Sequence, residues 1–371
     1  MTDQLLYQIG LTMINGVGNI MGRQLLQAFG SAEAVFAEKR AALERIPGIG
    51  SVIAANIKDP DVLRRAEKEL DFVEKHRIDC YFMTEAGYPK RLRECEDAPV
   101  MLYYKGNADL NAPRIISIVG TRNATDYGKS LTEKLIGELA ALIPDLLVIS
   151  GLAYGIDILA HRAALKHRLP TVAVLAHGLD RIYPFVHKGT AAEMLAAGGL
   201  LTDFPSQTTP DKVNFVKRNR IVAGLPDATI IIESAEKGGS LITADLAFSY
   251  GREVFAFPGR VTDTCSQGCN RIIRQNKAEL ITCAADLISS IGWDVERKTL
   301  FSPPPMPSLF AGKENDDHHR VITLLREKNE LHINQLAVEM DMPVHRLSTL
   351  LFELEMNNAV KAMPGSMYKL L

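Results

Sequence analysis

Cysteine is too scarce and too scattered in this chain to form a disulfide framework: Cys80, Cys95, Cys265, Cys269 and Cys283 are odd in number. Cys265 and Cys269 stand four apart, but no second Cys or His pair nearby completes a zinc site, so reduced, partly buried thiols are expected. No apolar run reaches the ~20 residues of a membrane span. The opening MTDQLLYQIG carries no basic segment ahead of an apolar stretch, so a cytosolic protein with no membrane partner is expected. Net charge is −2, so the overall balance attracts no polyanion, and any such site must be a local patch. Two nucleotide signatures are missing as well. Neither G-x-G-x-x-G at the first glycine turn nor G-x-x-x-x-G-K-[ST] anywhere is present, which leaves no support for a bound dinucleotide or a P-loop. His161, His167, His177 and His187 show no metal-ligand pattern, and neither a metal nor a cofactor is expected.

What is present is an alternation. Short runs that are apolar on both faces, IISIV (115–119), LLVIS (146–150), TVAVLA (171–176), GLLTD (199–203), ATIIIE (228–233) and EVFAF (253–257), read as strands buried on both sides of a parallel sheet. Amphipathic patterns such as GKSLTEKLIGELAAL and GSLITADLAFSYG lie between them. The pattern predicts an α/β domain with a doubly wound, mostly parallel sheet, and it places any ligand at the carboxyl ends of the strands.

At 371 residues, with 47% hydrophobic and 23% charged residues, the chain is globular and long enough for two or three domains. Residues 1–80 read as helical with a weak repeat. Ile14-Asn15-Gly16-Val17-Gly18 precedes IMGRQLLQAFG, and Ile46-Pro47-Gly48-Ile49-Gly50 precedes SVIAANI, the signature of two helix-hairpin-helix units. The free N–H groups at each following helix start can bind a phosphate. The basic residues after the hairpins, Arg23 and Lys58, are few, so a purely structural pair of hairpins fits equally well. Residues 81–292 form the sheet domain, opening with a connector whose Pro99–Tyr104 stretch looks like one short strand. Residues 293–317, with Ser302-Pro303-Pro304-Pro305 and GKENDD, read as a linker. Residues 318–371 read as three helices and a two-stranded turn about Pro364-Gly365, a winged helix. Its third helix carries His345 and Arg346 but also Glu353 and Glu355, and the segment has no excess of bases over acids. That fits protein docking or self-association better than reading a duplex.

Chemistry concentrates at the strand ends. Strand one ends in Gly120-Thr121-Arg122. Strand two ends in Ser150-Gly151, with Gly155-Ile156-Asp157 following. The fifth runs into Lys237-Gly238-Gly239-Ser240, with Thr243 in the next helix. Glycine lets a phosphate approach the backbone, and helix N-termini add free donors and partial positive charge. Three such turns on one edge of a sheet predict an anion-binding crevice, with Arg122 as a fixed bidentate cation. A fourth piece, Lys212 to Arg220, packs Lys212, Lys217, Arg218 and Arg220 around Phe215 and Asn219 with no acid among them. Cations neutralise phosphates, while an aromatic face stacks a splayed base. Asp157 and Asp180 are the candidate acid/base groups, but neither has a partner spaced for two-metal phosphoryl chemistry, and Asp157 has an ordinary helix-start role. The pattern is that of a polyanion binder.

Ser117–Arg122, Ser150–Asp157 with Ala160-His161, Lys217–Ile221, Gly238 to Ala244, and Phe257-Pro258-Gly259 followed by Gly268-Cys269-Asn270 resemble, in order, the DprA/Smf family of DNA processing proteins. The resemblance covers roughly residues 85–290, and helical and winged-helix flanks fit it. It implies an extended Rossmann-like domain that binds single-stranded DNA, a homodimer, and loading of RecA recombinase onto single strands during natural transformation. It carries DNA-binding roles onto Gly120, Thr121, Arg122, Ser150, Gly151, Gly155, Lys212, Phe215, Lys217, Arg218, Asn219, Arg220, Gly239, Ser240 and Thr243. Val216 stands where the family usually has proline. Two other readings share parts of the pattern. One is a nucleotide-processing enzyme akin to the nucleoside-monophosphate phosphoribohydrolases, although the helix after the Gly-Gly turn has Ala244-Asp245 and no glutamate. The other is a transcription regulator acting through the winged helix.

Overall fold

The computed structural model describes residues 2–293, 314–356, 359–363 and 365–370. The chain divides into two compact units, Met1–Val295 and Glu296–Leu371.

A nine-stranded sheet organises the first unit. Its strands are β1 (Asp79–Phe82), β2 (Met101–Gly106), β3 (Ile115–Val119), β4 (Leu147–Ser150), β5 (Thr171–Val174), β6 (Gly198–Thr202), β7 (Ala228–Ile231), β8 (Glu253–Ala256) and β9 (Glu279–Leu280). Their spatial order is β1-β2-β6-β5-β4-β3-β7-β8-β9. Pairing is parallel from β6 to β9 and antiparallel only where β1 and β2 extend one edge. The six apolar runs are therefore the six central parallel strands. The short strand expected over Pro99–Tyr104 is β2, which joins the sheet beside β6, and the connector adds a second strand, β1, that was not expected. β1 begins at Asp79, inside the stretch expected to be helical.

Strand β3 shows why these runs fold this way. Ile115 and Val119 join Ile231 in one hydrophobic core, while Ile116 and Ile118 join Ile230 in the other, so successive side chains feed opposite faces. Each buried Ile or Val contributes about 1.5–3 kcal/mol. The one polar member, Ser117, is fully buried, and its hydroxyl is satisfied at 2.8 Å by Thr229 on β7. Helix Asp126–Leu142 covers one face through Leu135, Ile136 and Leu139, with Ile156 and Ala160 from helix Ile156–Lys166. Helices Lys212–Gly224 and Gly239–Ser249 cover the other through Ile221, Val222, Leu241 and Ala244.

From β3 the chain winds outward through β4, β5 and β6, then crosses back to lay β7 on the other side of β3. The turns after β3 and β7 consequently diverge and leave a crevice at their carboxyl ends, the switch point of a doubly wound sheet.

The N-terminal helices, from Thr2–Met13 to Pro60–His76, do not stand apart from the sheet. Ile9, Leu25, Ala54 and Val73 share one continuous core with Phe82, Tyr103 and Leu201. Gly16 and Gly48 both adopt φ +86°, so the two hairpins repeat in backbone as well as in sequence. The basic residues that follow them are engaged by the protein itself. Arg23 donates to the carbonyls of Arg93, Cys95 and Glu96, and Lys58 to that of Phe36.

The second unit holds helices Glu314–Lys328, Ile333–Glu339 and Val344–Met356 and an antiparallel sheet of β10 (Glu330–His332), β11 (Val360–Met363) and β12 (Met367–Leu370), in the order β10-β12-β11. It is a winged helix, packed around Val321, Leu336, Leu347 and Leu351. Its first helix starts at Glu314, inside the stretch expected to be linker; the rest of that stretch beyond Trp293 lies outside the described residues. Strand β10 is too short to show a period in sequence. On the third helix Arg346 pairs with Asp317 at 3.3 Å, so part of its charge is neutralised within the unit, and Glu353 lies 3.1 Å from His318 Nε2. Among the described residues no helix is long and apolar enough to cross a membrane.

Candidate nucleic-acid interface

The turns after β3, β4 and β7, together with helix Lys212–Gly224, enclose a cleft of about 530 Å³. Two of the turns are strapped to each other. The Thr121 N–H donates to the Glu233 carbonyl at 2.7 Å. The buried Glu233 carboxylate, just beyond β7, accepts from the Thr125 N–H at 3.0 Å and from the Thr125 hydroxyl. Gly120, Thr121 and Arg122 are thereby held on the cleft wall. Gly155 lies beneath them with φ +75°; a Cβ there would stand 2.1 Å from the Thr121 carbonyl oxygen, so it shapes the wall without lining it.

Helix Lys212–Gly224 sorts its residues by face. Asp211 caps it, accepting from the Asn214 N–H at 2.8 Å. Because Val216 keeps its N–H, the helix runs unbroken through a position where proline would break it. Lys212, Phe215, Arg218 and Asn219 face the cleft. Lys217 is exposed outside its lining, and Arg220 turns away, pairing with Asp203 and donating to the Asp97 carbonyl at 3.0 Å. Arg218 is 5% exposed. It forms part of the cleft floor, donating to the carbonyls of Gly151 at 2.8 Å and Val174. Burial lowers its guanidinium to about 10, so it stays charged at neutral pH. Asp157 is buried beside it and accepts from the Gly151 N–H at 3.2 Å. Burial pushes the Asp157 carboxyl above its usual range, while Arg218 pulls the other way.

Above this floor the cleft presents a cation and aromatic rings together. The Arg122 guanidinium lies 5.5 Å from the Phe215 ring centroid, and the Tyr183 ring lies 5.9 Å from it. Ser150, by contrast, is fully buried and donates its hydroxyl to the Ile118 carbonyl at 2.6 Å. Ser240 and Thr243 line the far wall, mostly buried, with the Ser240 hydroxyl donating to Ser234 Oγ at 2.9 Å. The cleft thus gathers Gly120, Thr121, Arg122, Gly151, Lys212, Phe215, Arg218, Asn219, Gly239, Ser240 and Thr243, and leaves Ser150, Gly155, Lys217 and Arg220 off its lining. Sequence reading missed the Glu233 strap, the Asp211 cap and Tyr183. Only Asp211 carried a local signal, an aspartate just before a helical run.

The two glycines at the third turn differ. A Cβ on Gly238 would collide with Ser234 Oγ at 2.2 Å, whereas a Cβ on Gly239 would meet nothing within 4 Å. Packing does not require glycine at 239, and the missing side chain leaves the helix N-terminus open to close approach. Gly239→Ala is expected to keep or slightly raise the melting temperature. It should weaken single-strand affinity about tenfold, the worth of one charge-assisted hydrogen bond. Unchanged affinity would remove this turn from the interface.

Comparison with known proteins places the cleft in context. The family model for DNA recombination-mediator protein A matches residues 79–292, a DprA winged-helix model residues 302–366, and a SAM-like helix-hairpin-helix tandem residues 9–59. A DNA processing protein DprA of Mycobacterium tuberculosis is 37% identical over 259 residues, 69% of this chain and 65% of that protein, just under two thirds of its length. The crystal structure of the Streptococcus pneumoniae DNA processing protein A is 32% identical, with a TM-score of 0.64, covering 76% of this chain and 97% of that one. The Helicobacter pylori DNA processing protein A, described for its single-stranded-DNA binding mode, is 30% identical with a TM-score of 0.53, covering 59% and 97%. With the matched domain spanning more than half its length, the chain belongs to the DNA recombination-mediator protein A family, the DprA/Smf proteins.

Proposed function

We propose that this chain binds single-stranded DNA without sequence preference through the cleft at the carboxyl ends of β3, β4 and β7, and protects the bound strand. As a homodimer it would then load RecA recombinase onto that strand during natural transformation and recombination. Its action is binding, not catalysis. The observation that carries the reading is the pairing of Arg122 with Phe215 at the cleft mouth, with Lys212 beside them. A cation for the phosphate and a ring for the base stand within one nucleotide's reach, and the backbone turns add N–H donors that read no base edge. Gly120, Thr121, Gly151, Asn219, Gly239, Ser240 and Thr243 supply the walls. Arg218 supports the floor, and Lys217 adds exposed positive charge beside the cleft.

An enzyme reading gains nothing from the acids. Asp245, in the helix after the Gly-Gly turn, pairs with Lys277 at 2.6 Å instead of facing the cleft. The cleft's own carboxylates, Asp157 and Asp211, already accept from backbone N–H groups.

Fluorescence anisotropy with labelled single-stranded and duplex oligonucleotides across a salt series tests the proposal. Preference for single strands, indifference to sequence and a log–log salt slope near −0.7 per phosphate contacted are expected. Equal binding of duplex, or binding of mononucleotides alone, would refute it.

A further inference from the structure

We propose that the segment Tyr183 to Lys188 is an aromatic arm that continues the single-strand path out of the cleft and onto a hollow at Arg162, whose neighbour Lys166 pairs with Glu133. The proposal rests on the reading of the cleft as a single-strand site. At its start Tyr183 lines the cleft and meets Phe215. At its far side Val186 lines a separate hollow of about 560 Å³ together with Arg162, Lys166 and Glu193. The arm therefore bridges the two.

Its side chains are unusually exposed for their chemistry: Tyr183 47%, Phe185 73% and Val186 65%. Rings and branched chains left in water on one short segment mark a binding surface. The backbone beneath them is held firmly. His187 is buried, with Nδ1 2.8 Å from the Leu152 carbonyl, and the Tyr183 N–H donates to His177 Nε2 at 3.2 Å. The rings are thus presented on a fixed turn, which keeps the ordering cost of stacking low. Cations accompany them, with Lys188 Nζ 5.5 Å from the Phe185 centroid and Arg162 exposed in the hollow. Alternating rings and cations, continuous with the cleft, fit the bases and phosphates of one extended strand. An apolar protein surface would have no use for Arg162 and Lys188 beside the rings.

The test uses the full chain and oligothymidylates of graded length, measured by anisotropy. Phe185→Ala should bind short oligomers like wild type, because they fill only the cleft. It should bind long ones about 5- to 100-fold more weakly, the range for losing one stacked base. Tyr183→Ala should weaken every length. Tyr183→Trp should keep its affinity and lose fluorescence on binding, read against the single native Trp293. If wild type binds single strands while Phe185→Ala matches it at every length, the arm is overturned and the cleft stands, whatever Tyr183→Ala does. If wild type shows no preference for single strands, both fall.

Discussion

Arg122→Glu is expected to lower single-strand affinity about 10- to 150-fold and to flatten the log–log salt slope by about 0.7, the signature of one lost phosphate contact. Arg122 is exposed, and its described contact is the Phe215 ring, so the variant should melt like wild type. Arg122→Lys should fall between, because an ammonium keeps the charge but loses the planar fork that stacks on a ring and grips two phosphate oxygens. Arg220 supplies the contrast. It belongs to the basic Lys212–Arg220 run but pairs with Asp203 away from the cleft, so Arg220→Ala should cost stability and leave the salt slope alone. A salt slope that falls equally in Arg122→Glu and Arg220→Ala would mean that the run binds as a diffuse basic patch and the cleft is not the interface.

The comparison of those two arginines also shows what the sequence could and could not reveal. Parallel strands buried on both faces announce themselves as runs such as Ile115–Val119, since each side chain faces a core, and the glycine turns follow from the strand ends. The edge strand β1 was harder to read, because a strand of four residues such as Asp79–Phe82 shows too little period, whereas the Pro99–Tyr104 stretch was legible as the strand that became β2. Within Lys212–Arg220, charge density named the right segment but could not say which cation faces the ligand. That depends on helical phase, and the phase was fixed by Asp211 capping the helix at Lys212. Arg218 and Phe215 then fall on the cleft face, while Arg220 falls behind. Tyr183 is distant in sequence from the basic run and is brought to Phe215 only by the fold.

Arg218→Met carries the largest expected effect on stability. The guanidinium sits beneath the cleft and donates to carbonyls just beyond β4 and at the end of β5. Asp157 and Arg218 flank Gly151 so closely that a Cβ there would stand 2.6 Å from both. Methionine keeps the length and loses the charge, which leaves the Asp157 carboxylate buried without its main cation, a loss of about 3–5 kcal/mol. The pH dependence follows from the raised carboxyl. A carboxyl whose folded pKa lies above its unfolded value binds more protons in the folded state, so its contribution falls as pH rises through the window between the two values. Removing Arg218 lifts the folded value further and widens that window. Urea melts at pH 5 and pH 8 should therefore show a larger gap between variant and wild type at pH 8. An equal gap at both values would mean that Asp157 does not depend on Arg218 for its charge. Adding Asp157→Asn to Arg218→Met removes the stranded carboxylate, so the double variant should recover part of the loss and most of its pH dependence. If the double variant also binds single strands weakly, Arg218 acts by holding the Gly151 turn in place. Full recovery of binding would assign the loss in Arg218→Met to the stranded charge alone.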